Sequence, residues 1–171
     1  SPSHDSETES QLTSWSESGK IRWTKLSKPS ITRAMNYGLQ AARGSIVLFL
    51  DDDITASSDL VCLHAQEYCS WPEAVAVVGQ VLQPGEIPRD VSHGLDRSGI
   101  RADFAFPFYS KTPDWVNNVI ACNLSVSRQF ALAAGGFDEN FIGVAYRFET
   151  EFAHRLTRLG GKIRFCPRAS I

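Results

Sequence analysis

The chain has 171 residues, 43% of them apolar and 21% charged, the ordinary make-up of one globular domain around one core. Its 17 Lys and Arg against 19 Asp and Glu leave a formal charge of -2, and no Lys/Arg run stands out, so no nucleic-acid partner is expected. The longest apolar run is far too short to cross a bilayer, and the expected location is the cytoplasm or the cytoplasmic face of a membrane. Cys62, Cys69, Cys122 and Cys166 are scattered without a CxxC pair. They read as buried free thiols rather than as a disulfide frame or a zinc site.

In chain order, residues 1–20 are polar and serine-rich. Ser6 and Glu9 have capping-box spacing, and Leu12 and Trp15 would give one short helix an apolar face that Gly19 ends. IRWTKL (21–26) alternates like a strand. Ser30 is placed to cap a helix over 31–43, with Gly44 at C′. Ile46 to Leu50 is an all-apolar run of the kind found in a central strand covered on both faces. Ser57 or Ser58 would cap the next helix, through Tyr68. AVAVVGQVL (74–82) reads as a buried strand. Residues 83–117 hold four prolines and several aromatics and read as an irregular excursion, with an extra strand in ADFAFPFYS. VIACNLSVS (119–127) resumes as a strand, a helix follows over 128–134, and GGFDENF forms a turn. A helix over 148–159 presents Phe148, Phe152, Leu156 and Leu159 as one buried stripe. KIRFCP is the last strand. Strands alternating with helices indicate an α/β fold with a mostly parallel, mixed sheet flanked by helices.

Asp51, Asp52 and Asp53 stand at the carboxyl end of the Ile46–Leu50 run, where open α/β sheets collect ligands. Adjacent carboxylates repel, and Mg²⁺ or Mn²⁺ bound through carboxylates and a diphosphate would relieve that repulsion. A solvated acidic turn is the other reading. DDDIT also has the DxDxT form that opens the haloacid-dehalogenase-like phosphatases, with Asp51 as nucleophile and Asp53 as acid/base. The lysine and GDxxxD pair such enzymes need downstream have no clear counterpart.

Three stretches in order, PSITRAMNYGLQAARGSIVLFLDDD, NLSVSRQFALAAGGFDENF and RFETEFAHRLTRLGGKIRFCPRASI, resemble the family 2 glycosyltransferases of the GT-A fold. The resemblance runs over nearly the whole chain. It implies inverting transfer of a sugar from a nucleoside-diphosphate sugar to a hydroxyl acceptor, which would be a glycan, a lipid or a small molecule, with Mn²⁺ or Mg²⁺. Asp51 and Asp53 match the DxD pair at the metal–diphosphate, with Asp53 the preferred ligand and Asp52 at the variable middle position on the donor side. Arg33 and Asn36 match polar positions on the nucleotide side, whereas Met35 replaces the usual arginine. Glu149 matches the general base, with Glu151 as fallback; Phe148 replaces the usual preceding glutamate. Trp115, Gly136 and Asp138 are sugar- or acceptor-side candidates.

The resemblance divides the chain into a donor and metal side over 1–82, the excursion over 83–117, and an acceptor and base side over 118–171. The opening strands usual in the family have no counterpart, so a partial domain is expected, with a raw sheet edge open to self-association. A nucleotide-sugar or carbohydrate-binding domain without turnover is the non-enzyme alternative.

Overall fold

A computed structural model describes residues 6–91 and 107–171. In chain order these form α1 (Ser6–Glu17), α2 (Ile31–Ala41), β1 (Ile46–Leu50), α3 (Leu60–Ser70) and β2 (Ala74–Gln80). There follow β3 (Asp114–Val116), β4 (Asn123–Ser127), α4 (Arg128–Ala133), α5 (Phe148–Arg158) and β5 (Lys162–Ser170). Ser30 caps α2 by accepting the Arg33 amide at 3.3 Å. The helix stops earlier than expected, because Ala42 turns to ψ 144, and Gly44 is therefore not its C′ residue. Asp59 occupies the cap of α3, in place of Ser57 or Ser58.

The five-stranded sheet has the order β1-β4-β2-β5-β3. β4 runs antiparallel to both β1 and β2, β2 and β5 pair in parallel, and β3 runs antiparallel to β5. The mixed α/β sheet is as expected, and β1, β2 and β5 point one way. The pairing itself is not mostly parallel, because β4 is inserted between β1 and β2. β1 is also not a central strand. It lies at the sheet edge and its five residues keep partial exposure. An all-apolar run reports the apolarity of its surroundings, and not the number of its neighbours.

Residues 21–26 form no ladder. Their polar side chains instead tie down to helices: Arg22 Nη1 donates to Ala41 O at 3.0 Å, and Lys25 pairs with Glu9 at 2.8 Å. The ADFAFPFYS expectation falls largely outside the described residues, and the short extra strand that is described is β3.

Helices cover both sheet faces. On one face Leu39 of α2, Ala131 of α4, and Phe148, Phe152 and Leu156 of α5 close over Val78, Leu124, Val126, Ile163 and Phe165. On the other, Leu60 and Leu63 of α3 meet Val77, Cys166 and Ala169. Leu159, expected in the α5 stripe, is 56% exposed, since the helix has ended at Arg158. The thiols are free, but Cys166 alone is buried; Cys62 and Cys69 are exposed and Cys122 is half-buried.

Beneath α3 lies a buried polar chain. His64 Nδ1 sits 2.8 Å from Ser125 Oγ and Nε2 sits 2.9 Å from Asn123 Oδ1. Tyr68 OH is 3.1 Å from the same Ser125 hydroxyl. The Asn123 Nδ2 group already donates to two carbonyls, so its Oδ1 must accept, and Nε2 of His64 carries the proton. A neutral ring satisfies this arrangement.

Burial drives the His64 pKa below its ordinary 6.5, against opposing contributions from Asn123 and Glu67. The unfolded chain therefore binds a proton that the folded chain refuses. Stability is fully present above pH 6.5 and declines as the pH falls below it. Urea melts between about pH 8 and about pH 5 should show this loss. His64→Ala should flatten it while costing about 2–4 kcal/mol, through the cavity and the two polar groups left without a partner.

Candidate active site

The β1/β4 ladder ends with Leu50 opposite Asn123. The next residues out, Asp51 just after β1 and Cys122 just before β4, thus leave the sheet side by side. α5 brings Glu149 to the same place in its first turn, where the carboxylate accepts the backbone N–H groups of Glu149 itself and of Ala121. Asp51, Cys122 and Glu149 line one cleft of about 750 Å³, with Met35 from α2, Phe108, and Tyr146 and Arg147 from the segment entering α5. Ala145 and Arg147 in that segment have φ of 49 and 69, the left-handed region that non-glycine residues rarely occupy.

The electrostatics agree with the placement. Burial raises the Asp51 pKa, and Asp53 and Asp52 raise it further. Burial likewise raises Glu149, with Asp51 adding to it; the two backbone N–H groups and Arg147 act in the other direction. The Cys122 thiol is pushed up to about 12, first by burial and then by Asp51, with Glu149 and Asp53 contributing. It is therefore an inert wall of the cleft at neutral pH. Asp52 and Asp53 follow Asp51 in an exposed turn. Among the described residues no group of three or more His, Cys, Asp and Glu side chains gathers as a metal cage.

The other expected site residues lie as follows. Asn36 is buried, and both ends of its amide are engaged by the GGFDENF loop. Nδ2 donates to Phe137 O at 2.8 Å and Glu139 Oε1 at 3.0 Å, and Oδ1 accepts the Phe137 amide at 2.7 Å. Arg33 pairs with the same Glu139 at 3.3 Å. Gly136 packs on Asn36. Asp138 accepts the backbone and side-chain N–H groups of Asn140, which holds the turn. Glu151 makes a two-pronged pair with Arg155, at 2.5 and 2.7 Å.

Trp115 lies on β3, at the sheet edge opposite β1. It meets Trp71 edge-on at 5.6 Å, with the Arg164 guanidinium 5.4 Å from its ring. It does not line the cleft. The sequence reading did not single out Cys122, Val144, Tyr146 or Arg147 as part of it. For Cys122 the available signal was position: it stands just ahead of the NLSVS strand, as Asp51 stands just beyond its partner.

Residues 3–133 match the glycosyl transferase family 2. The chain belongs to that family. A glucosyl-dolichyl phosphate glucuronosyltransferase of Haloferax volcanii is 28% identical over 118 residues, which is 64% of this chain and 35% of that protein. Among solved structures, GalNAc-T7 with UDP, GalNAc and Mn²⁺ superposes with a TM-score of 0.64 at 14% identity, over 95% of this chain and 34% of that one. The mannosyltransferase PcManGT from Pyrobaculum calidifontis, in complex with GDP-Man and Mn²⁺, gives 0.61 at 17% identity, over 99% and 44%. The structural likeness establishes the GT-A-like fold of this family 2 domain. The chain spans about a third to under half the length of these relatives.

Within this domain the GGFDENF loop is held by geometry that leaves little latitude. Gly136 has φ +69, and a Cβ there would come within 2.5 Å of Asn36 Oδ1. Gly136→Ala should lower stability by about 1–3 kcal/mol, read as a fall in urea midpoint with the slope unchanged. Gly143→Ala offers the contrast, since its Cβ would meet open space at a similar φ.

Proposed function

We propose that this domain carries out inverting sugar transfer from a nucleoside-diphosphate sugar to an acceptor hydroxyl. The observation that carries the reading is the convergence of Asp51 and Glu149, far apart in sequence, on one cleft where the Asp51 charge adds to the raised proton affinity of Glu149. Glu149 has the chemistry of a general base. It is half-buried and oriented by two backbone N–H groups, and its pKa is raised from the ordinary 4.5 toward the working range. It takes the acceptor proton as the acceptor oxygen attacks the anomeric carbon. The bond to the diphosphate breaks with its electron pair leaving on the phosphate oxygen, and the anomeric centre inverts. Glu151, committed to Arg155, is less available for this role.

A divalent cation fits the donor set present. Two carboxylates, Asp51 and Asp53, stand close enough for one to raise the other's pKa, and Mg²⁺ or Mn²⁺ commonly takes one or two carboxylates plus substrate phosphates, not an all-protein cage. Asp51 and Asp53 would hold it, and when bound it neutralises charge on the departing diphosphate. GalNAc-T7 with UDP and Mn²⁺ and PcManGT with GDP-Man and Mn²⁺ support this choice.

Two substitutions separate the roles. Glu149→Gln should lower transfer by about a hundredfold or more while leaving Mn²⁺-dependent nucleotide binding intact; unchanged transfer would sink the base assignment. The same substitution should raise the melting temperature at neutral pH. The folded state holds the Glu149 proton more tightly than the unfolded state, so its loss favours unfolding, and Gln removes that effect. Asp53→Asn should weaken nucleotide binding in Mn²⁺ but not in EDTA, read by calorimetric titration of a nucleoside-diphosphate panel. Metal-dependent binding with no release of nucleoside diphosphate in the presence of acceptors would leave a binding-only domain. In an active enzyme, the acid limb of kcat/KM should fall above pH 4.5.

A further inference from the structure

The two most exposed large apolar side chains among the described residues, Ile142 at 84% and Val144 at 83%, are two positions apart in one loop. Tyr146, two positions further, is 72% exposed. Gly143 and Ala145 lie between them. Gly143, Ala145 and Arg147 all have left-handed φ, of 64, 49 and 69. Ala145 turns inward and is buried, donating its N–H to Ile142 O and accepting the Phe148 amide on its carbonyl, both at 3.1 Å. The inward turn at Ala145 leaves Val144 and Tyr146 on either side of it facing outward. The Arg147 guanidinium lies over the Tyr146 ring, 4.8 Å from its centre, and holds that ring in place.

These side chains adjoin the cleft. Val144 and Tyr146 line it together with Asp51 and Glu149, and Ile31, Ala34 and Met35 of α2 form part of the same lining. Val144 and Tyr146 thus set apolar surface in the same lining as the carboxylate of Glu149, with Ile142 exposed two positions before Val144. Left-handed backbone at two non-glycine residues is unfavourable, and so is the exposure of hydrocarbon that could have been polar. Neither is required to build α5, which needs only a cap. Both are accounted for if the loop contacts a ligand entering the cleft.

We propose that the 142–146 loop and α2 hold an apolar arm of the acceptor, so that the molecule presenting its hydroxyl to Glu149 is an amphiphile and not a free sugar. A small hydrophilic acceptor would gain nothing from Val144 and Met35, whereas an alkyl arm would bury hydrocarbon along that lining and out toward Ile142. This rests on the reading of Glu149 as the base, and the experiment separates the two.

Methyl, butyl and octyl glycosides of one sugar, kept below their micelle concentrations, are titrated calorimetrically into the chain with Mn²⁺ and a nucleoside diphosphate present. Affinity should rise by about fourfold for each methylene that becomes buried. Ile142→Ser/Val144→Ser, at exposed positions where folding is little affected, should reduce the octyl-over-methyl preference by about tenfold or more. Ile142→Ser alone, outside the cleft lining, should leave metal-dependent nucleotide binding unchanged. Equal affinity for methyl and octyl glycosides, or an undiminished preference in the variant, overturns the proposal. So does a dimer in sedimentation that the double substitution dissociates, because the loop would then serve a second copy. A chain-length preference without metal-dependent nucleotide binding supports the apolar rest and removes the transferase reading instead.

Discussion

Asn123 places one carboxamide among three neighbouring elements. Its Nδ2 group donates to Gln80 O at 3.0 Å and Ala169 O at 2.9 Å, while Oδ1 accepts from His64 of α3. The need for it arises in β5. The β2/β5 ladder is regular up to Gly79 opposite Cys166 and then jumps to Gln80 opposite Ser170. Pro167, Arg168 and Ala169 bulge out there, and Pro167 has no N–H to offer. A carbonyl stranded by the bulge, such as that of Ala169, would be costly in a fully buried position. The Asn123 amide fills the gap, and Gly79 leaves room for it, since a Cβ there would lie 2.2 Å from both Asn123 Nδ2 and Ala169 O. Because Asn123 is also the last rung opposite Leu50, the same clamp fixes where β1 and β4 stop pairing, and so where Asp51 and Cys122 emerge.

The charge at that point works against folding. Asp51 is raised by burial and by its two aspartate neighbours, and Glu149 is raised by burial and by Asp51. A fold selected for stability alone would not aim two carboxylates at one cleft beside a thiol raised to about 12. The local compensation is partial: two backbone N–H groups and Arg147 act on Glu149, whereas the charges among the described residues that shift Asp51, namely Asp53 and Asp52, are like ones. This asymmetry is what a site awaiting a cation on the Asp51 side and a neutral hydroxyl on the Glu149 side would look like.

Much of this arrangement was legible in the sequence, for reasons that differ by element. The helices at 31–41 and 148–158 carried a capping serine or a four-residue apolar period, signals local to the chain. The carboxylates were legible because an apolar strand running into charge is conspicuous. What failed was non-local. IRWTKL has strand alternation but lacks a partner, and alternation alone does not supply one. β1 looked central because its residues are apolar, yet neighbours are a property of topology. Trp115 was open between stacking on a sugar and covering the sheet, a choice its residue type could not make; the contacts it makes include Trp71 and Arg164. Asn36 matched a nucleotide-side position, but its amide is spent on the Phe137 and Glu139 backbone and side chain. The apolar loop at 142–146 was invisible, because exposure cannot be read from a hydrophobic letter.

The GGFDENF loop connects these parts. Phe137 is buried among Phe49 of β1, at 5.4 Å, and Phe148 and Phe152 of α5, at 5.7 and 4.2 Å. On one side Asn36 grips its backbone from α2. On the other Arg155 of α5 donates to Ala134 O and Gly136 O at 2.6 Å while it is held by Glu151. The loop is thus a rigid link between the helix whose Met35 lines the cleft and the helix that carries Glu149. Glu151 acts through this link: by fixing Arg155 it fixes the loop, and by fixing the loop it sets the distance between the two walls. Two acidic residues two positions apart on one helix therefore sit in opposite settings, since Glu151 is paired with Arg155 as part of a scaffold and Glu149 is left in the cleft lining with its pKa raised.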